Sequence, residues 1–238
     1  MKFYTTLILA AAVIITAAVA ILIASVLIHM YYTNAGKMNV KCFTYNMKSL
    51  GELTIKARDI SLKILKGSPK ICVYYQQPCN INVQISNNTI TIRLPITTLP
   101  LRALFCQHTY AKVWIPENVQ KLTISIEAGS AVVENIHVKY LKVYVNAGAA
   151  KLKLKVDNLL TVVNNAGSTY LNITPGNSTR ISIVNNMGSI HLHLTTGEAL
   201  VTVLRNNMGS VGVACQATKG PMIQVVNNMG SVAIDCSK

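Results

Sequence analysis

Apolar and polar residues alternate with a period of two through most of the chain beyond residue 50. Ser189-Ile190-His191-Leu192-His193-Leu194 is one such run. Leu53-Thr54-Ile55, Ile60-Ser61-Leu62-Lys63-Ile64, Ile90-Thr91-Ile92-Arg93-Leu94 and Leu122-Thr123-Ile124-Ser125-Ile126 are others. Alternation bounded by Gly and Asn predicts half-buried β-strands. The run ending at Leu194 is followed by a turn at Thr195-Thr196-Gly197-Glu198. A second apolar-rich run, Ala199 to Arg205, leads to a turn at Asn206-Asn207-Met208-Gly209. Each unit therefore reads as strand, turn, strand, turn. No helical period appears between Val119 and Lys238.

The unit recurs. Asn164-Asn165-Ala166-Gly167-Ser168 returns as Asn185-Asn186-Met187-Gly188-Ser189, as Asn206-Asn207-Met208-Gly209-Ser210 and as Asn227-Asn228-Met229-Gly230-Ser231, each time after 21 residues. Weaker copies surround Gly129 and Gly148, 19 residues apart. A fixed period near 20 marks one supersecondary unit stacked on itself. The expected fold is all-β: a single-stranded β-solenoid with two strands per coil and a period of about 19–21 residues. Three columns read as inward. One holds Ile181 and Ile223, with Thr202 as an exception; a second holds Ile190, Val211 and Val232, with Thr169 as an exception. Leu171, Leu192, Val213 and Ile234 form the third. Like residues about 4.8 Å apart would build a continuous apolar ladder, which one coil alone could not bury.

The recurring phrase has a mechanical reading. Gly129, Gly148, Gly167, Gly188, Gly209 and Gly230 are expected at corners, because glycine adopts angles that a Cβ disfavours. Asn bonds nearby backbone and can bond its equivalent in the next coil as an amide ladder. Met fills irregular space. The phrase is thus a structural corner rather than a catalytic loop.

The first thirty residues differ. Leu7 to Ile28 carries no charge, with Thr16 and Ser25 as its polar breaks. Such a run is long enough to cross a hydrocarbon core of about 30 Å as a helix, and Tyr31 and Tyr32 follow where an interfacial aromatic belt would sit. A cleaved signal peptide would have an apolar stretch of about 7–15 residues and a small-residue cut site, so an uncleaved anchor is expected. The organisation is then 1–36 as tail, transmembrane helix and juxtamembrane segment, 37–118 as irregular first coils and cap, and 119–238 as regular repeats.

Charge adds a partner class. Lys and Arg number 22 against 8 Asp and Glu, a net +14. A basic exterior attracts polyanions, although lysine also keeps β-surfaces soluble and edges unpaired, which is the simpler account. Lys151, Lys153 and Lys155 alternate with Leu152, Leu154 and Val156 and line one outer face. They are the candidate residues for an acidic glycan or another surface partner. The aromatic interleaving of single-strand nucleic-acid platforms is missing, with Tyr140 and Tyr144 the nearest rings, so no specific nucleic-acid partner is expected. On self-association the sequence is silent.

Six cysteines follow the apolar segment, and an even count there favours disulfides outside the cytoplasm. Cys215 and Cys236 share a column in adjacent coils and should bond. Cys72 and Cys79 could close a small loop, leaving Cys42 with Cys106. Three N-x-S/T sequons, at Asn87, Asn172 and Asn177, are glycosylation candidates. The expected location is the cell membrane, single-pass, with the bulk of the chain extracytoplasmic.

Chemistry is sparse. No CxxC pair suggests a metal. His191 and His193 lie about 6.8 Å apart on one strand face. Their columns hold Tyr170, Gly212 and Ala233, and Asn172, Ala214 and Asp235, so no third ligand is expected to converge. A glycosidase needs two carboxylates facing one bond, and the acids here are scattered. Phosphate loops, G-x-S-x-G and H-E-x-x-H are absent. No catalytic residue, cofactor or metal is expected. The alternative reading is a polysaccharide-active enzyme, which would cluster Glu127, Glu134, Asp157 or Lys155 in a cleft. A further alternative is an envelope-stress or signalling component acting through the helix, and the very short inner tail opposes it.

The run Val113-Trp114-Ile115-Pro116, then Leu122-Thr123-Ile124-Ser125-Ile126, then Gly-centred turns after each strand pair, resembles the putative-adhesin β-solenoid domains of prokaryotic envelope proteins. The likeness covers roughly residues 50–238. It implies a non-catalytic, surface-binding role behind a membrane segment and supplies no catalytic residues. The doubled Asn and the Met at the corners depart from that family's simpler Gly turn.

Overall fold

The computed structural model describes residues 14–26, 29, 38–46, 51–76, 79, 81–94, 109–196, 198–215 and 220–237. The chain divides into two compact units, Met1–Asn39 and Val40–Lys238. In the first, residues 14–26 form a helix that exposes Ile14, Ile15, Val19, Ile21 and Leu22. No helix among the described residues is long and apolar enough to cross a membrane, so the expected transmembrane helix is not borne out there. The rest of the apolar run, 7–13 and 27–28, lies outside the described residues.

The second unit is one curled, mostly parallel sheet of thirteen strands. These are β1 (Asn39–Thr44), β2 (Glu52–Arg58), β3 (Ile60–Lys66), β4 (Lys70–Tyr75), β5 (Asn82–Ser86), β6 (Thr89–Arg93), β7 (Tyr110–Ile115) and β8 (Lys121–Ile126). They continue as β9 (Gly129–Pro175), β10 (Arg180–Leu194), β11 (Leu200–Asn206), β12 (Ser210–Val213) and β13 (Met222–Cys236). Period-two alternation decides which side chains enter the core. Ile181, Ile183, Ile190, Leu192 and Leu194 of β10 are buried, and so are Ile223, Val225, Val232 and Ile234 of β13. In parallel register Ile181 lies beside Leu160 and Ile223, and Leu192 beside Leu171 and Ile234. Strands run unbroken through most of the Asn-Gly corners, so β9 alone spans 47 residues.

The windings do not stack in chain order. Asn185 pairs with Asn227, not with Asn206, and Asn206 pairs with the far edge of Asn227. The 21-residue period makes every rung locally equivalent, so it cannot dictate order. Regularity can. An interior winding must bond on both edges, and β13 pairs β10 in unbroken register along its length. The β11–β12 winding carries a bulge between Val201 and Val203 and, among the described residues, pairs with β13 alone. The bulge accounts for Thr202: Val201, not Thr202, takes the place beside Ile223. A similar interleaving occurs at the other end. β2 pairs with β6 on one side and β8 on the other, and β3 pairs with β7 and β9. Antiparallel β4 on β7 and β5 on β6 then close that end.

The corner glycines form one file. A Cβ on Gly148 would sit 2.1 Å from the Gly129 carbonyl oxygen. One on Gly230 would sit 2.1 Å from that of Gly188, and one on Gly209 2.1 Å from that of Gly230. Each has positive φ, from +115° at Gly129 to +152° at Gly167, a region that side-chain-bearing residues avoid. Beside this file run two amide ladders. The inner one donates from Asn164 to Asn185, Asn185 to Asn227 and Asn227 to Asn206, at 2.8–2.9 Å. Each of these amides also donates to the glycine carbonyl three residues on, which fixes its orientation. The outer ladder donates the opposite way, from Asn207 through Asn228, Asn186 and Asn165 to Asn146.

Cys215 and Cys236 form a disulfide with Cα atoms 5.2 Å apart. Elsewhere the pairing differs from expectation. Cys42 bonds Cys72, because β1 lies next to β4 in the sheet. The small Cys72–Cys79 loop and the Cys42–Cys106 bond are thereby excluded. Cys79 is disulfide-bonded, and Cys106 lies outside the described residues.

Candidate functional site

The strand segments that follow the glycine file turn alternate residues outward and build a polar face of the sheet. Its first file is small: Ser61 beside Ser130, and Ser168, Ser189, Ser231 and Ser210 in successive windings. Two residues further along each strand come Lys151, Tyr170 and His191, then Lys153, Asn172 and His193, then Lys155, Thr174 and Thr195. The three lysines named from the sequence are therefore neighbours on one rigid face, and all three are exposed.

Three shallow grooves run between these files. One of about 330 Å³ has a Ser and Ala floor and a wall of Val132, Lys151, Tyr170 and His191. One of about 390 Å³ lies between Lys151, Lys153, Tyr170 and Asn172. One of about 420 Å³ is lined by Lys153, Lys155, Asn172 and Thr174, with His137 at its margin. Enclosed pockets of this size hold small molecules. These grooves are open and contiguous, which suits an extended chain.

Electrostatics separates the lysines. Lys155 stands 3.9 Å from Asp157, which is also 2.7 Å from His137 Nε2. Lys63 is 3.0 Å from Glu134. Lys66 bonds Glu117, and that bond holds the Glu117 carboxyl below the usual carboxylate range. Among the described residues Lys151 and Lys153 make no ion pair. Lys151 Nζ lies 6.0 Å from the centroid of the Tyr170 ring, whose other side stacks on His191 at 5.0 Å. Tyr170 thus stiffens the file, and both of its faces are occupied.

The two histidines share one acidic neighbour, Asp235. Asp235 Oδ2 bonds His193 Nδ1. Asp235 Oδ1 lies 2.9 Å from His191 Nε2, in ion-pair range but without hydrogen-bond alignment. The interleaved order of windings brings them together, since His193 and Asp235 are direct neighbours only when β13 lies on β10. The imidazoles engage different oxygens, so three donors do not converge on one point. No group of His, Cys, Asp and Glu among the described residues could hold a metal ion.

Ser237 Oγ lies 3.2 Å from His193 Nε2, completing the atom order of a Ser–His–Asp triad. Catalysis needs more than that order. A tetrahedral oxyanion is held by free backbone donors, usually including the nucleophile's own amide. The Ser237 amide instead donates to the Leu194 carbonyl at 3.1 Å. Together these contacts latch residues 235–237 onto β10.

The acids proposed for an enzymatic reading do not gather either. Glu127 pairs with Arg58 at 3.3 Å, Glu134 with Lys63, and Asp157 with His137. Each has a basic or imidazole neighbour, and no two of them line one of the grooves described above. Of the sequons, Asn87 and Asn177 are exposed in turns, and Asn172 is half-buried on the lysine face. Sequence reasoning missed Tyr170 and Asn172 as neighbours of the lysines and Asp235 and Ser237 as partners of His193. The column arithmetic held the signal for Asp235, but winding order was needed to use it.

No protein-family model matches the chain, and no curated protein matches it. Among solved structures, it is similar to a "putative cell adhesion protein" from Clostridium sporogenes, with 13% identity and a TM-score of 0.43 over 84% of this chain and 99% of that one. It is similar to a "putative adhesin" from Bacteroides fragilis, with 13% identity and a TM-score of 0.48 over 85% and 99%. A "putative lipid binding protein" from Parabacteroides distasonis aligns at 11% identity and a TM-score of 0.31 over 82% and 97%.

Proposed function

We propose that this chain is a non-catalytic, adhesin-like surface protein built on a β-solenoid. The N-terminal apolar segment holds it at the cell membrane, and the sheet faces outward. Its Lys151–Lys153–Lys155 face binds an acidic polymer, with an acidic glycan as the leading class. One observation carries the reading: among the described residues, Lys151 and Lys153 stand without carboxylate partners over contiguous open grooves. A polyanion laid along the Lys151–Lys153 strand segment would meet a cation on each of two neighbouring files without having to displace an internal ion pair. Each exposed contact contributes only about 0–1 kcal/mol, so affinity comes from repetition along the polymer and weakens as salt screens it.

The test is retention of the full chain, in mild detergent, on an immobilised uronic-acid polysaccharide against a neutral glucan. Retention should favour the acidic resin and fall with salt. The Lys151→Ala/Lys153→Ala double variant should lose most of it, while Lys139→Ala/Lys142→Ala should not. Equal retention of both double variants would remove this face from consideration.

A further inference from the structure

We propose that the methionine file Met187–Met229–Met208 is a binding site for one soft monovalent metal cation, of the copper(I) or silver(I) class. The site lies on the corner and stands independently of the lysine face. A corner methionine is expected to fill irregular space. Here it fills none: Met187, Met208 and Met229 are 52%, 64% and 42% exposed. The winding on the other side of Met187 carries Ala166 in the same column, so the corner closes without a long side chain. An apolar side chain held out to water on three neighbouring windings needs another account, and its sulfur supplies one.

Register brings the three into one file. Met187 lies directly beside Met229. The Met208 amide donates to the Asn228 carbonyl at 2.7 Å, which sets Met208 against Met229 from the other side. The glycine after each methionine packs on its equivalent too closely to admit a Cβ. The asparagine before it is tied to its equivalent at 2.7–2.9 Å, so the file is held in step. Neighbouring strands lie about 4.8 Å apart. A metal–sulfur bond is about 2.3 Å long for a metal such as zinc, so two in line span about 4.6 Å. An ion between Met229 and a neighbour can therefore meet two sulfurs with the backbone where it stands. The flexible third side chain can lean in.

Donor chemistry decides the cation. Thioethers are soft donors of the kind that select copper(I), whereas magnesium, calcium and manganese prefer oxygen. Residues 185–189, 206–210 and 227–231 contain no carboxylate, lysine or arginine. The side-chain oxygens of Asn186 and Asn228 already accept ladder bonds. The corner thus offers little to a hard divalent ion and places no fixed positive charge within these segments. Cys42, Cys72, Cys79, Cys215 and Cys236 are disulfide-bonded, so no thiolate competes among the described residues.

The test titrates silver(I), a redox-stable probe, into the full chain in mild detergent. The buffer is free of chloride and contains imidazole to compete with isolated histidines. Calorimetry gives the affinity, and NMR follows the methionine methyl groups. One ion per chain should bind, shifting the methyls of Met187, Met229 and Met208 but not that of Met222; zinc(II) should shift none of them. Met229 stands between the other two, so Met229→Leu breaks both adjacent pairs and should weaken binding by about a hundredfold or more. Met187→Leu and Met208→Leu each leave one pair and should cost about tenfold. Met38→Leu, outside the file, should change nothing. Methyls of the file that stay in place under silver(I), or affinity that survives Met229→Leu, would overturn the proposal. So would a deeper loss at Met208 than at Met229, the result for windings stacked in chain order. If a variant unfolds, the wild-type methyl shifts decide.

Discussion

Gly188→Ala is the most direct probe of the stacked corner. Gly188 has φ +142°, a region where residues other than glycine pay about 1–3 kcal/mol. The added Cβ would lie 2.3 Å from the Gly167 carbonyl oxygen and 2.7 Å from Asn164 Nδ2, whereas ordinary contact begins near 3.4 Å. Both neighbours are held: the carbonyl is backbone, and the Asn164 amide is bonded to Asn185 and to Gly167. Relief thus requires the two windings to part by about 1 Å, enough to forfeit much of a packing contact. The Asn164–Asn185 and Asn186–Asn165 bonds, at 2.9 and 2.8 Å, would stretch out of range, at a net cost of about 0.5–1.5 kcal/mol each. Together these terms predict a loss of about 2–6 kcal/mol, a large part of the 5–15 kcal/mol or so that holds a typical domain. The assay is urea unfolding of the full chain, followed by far-ultraviolet circular dichroism. Gly212→Ala is the matched control: its Cβ would meet nothing within 4 Å, so it should lie within about 0.5 kcal/mol of wild type. If Gly188→Ala and Gly212→Ala unfold at the same urea concentration, the windings are not in the close contact described.

Two further outcomes are expected. Thr169 is buried beside Ile190, with no partner for its hydroxyl; Thr169→Val removes an unsatisfied group and should raise stability by about 1–2 kcal/mol in the same assay, so destabilisation would contradict the burial. Tyr45 is buried, and desolvation pushes its phenol well above the usual range. The neutral form is favoured in the fold, so this contribution is complete below the unfolded pKa of about 10 and is lost as pH rises beyond it. Between about pH 8 and 10.5 the wild type should lose more stability than Tyr45→Phe, even though the variant forgoes the 2.7 Å bond to the Trp114 carbonyl; equal slopes would refute the assignment.

The repeat made its strands and corners legible because its constraints are local. Alternation in Ser189–Leu194 settles which side chains face inward, and glycine at each corner follows from the conformation a corner needs. The Asn ladders and the Cys215–Cys236 bond followed from the same spacing, since any two adjacent windings place like residues together. What spacing cannot supply is the order of windings. Copies 21 residues apart offer equivalent edges, so Asn185 fits against Asn206 or Asn227 equally well on local grounds. Tertiary structure chose Asn227 because the bulged winding, among the described residues, pairs on one edge. That choice created the His193–Asp235–Ser237 latch and put Met229 between Met187 and Met208. Similarly, Cys42 carries no local signal for Cys72; the antiparallel closure that brings β1 beside β4 decides it. Periodicity fixes which face a residue occupies, because that depends on its own strand. Neighbours from distant strands depend on which edges the whole sheet can satisfy at once.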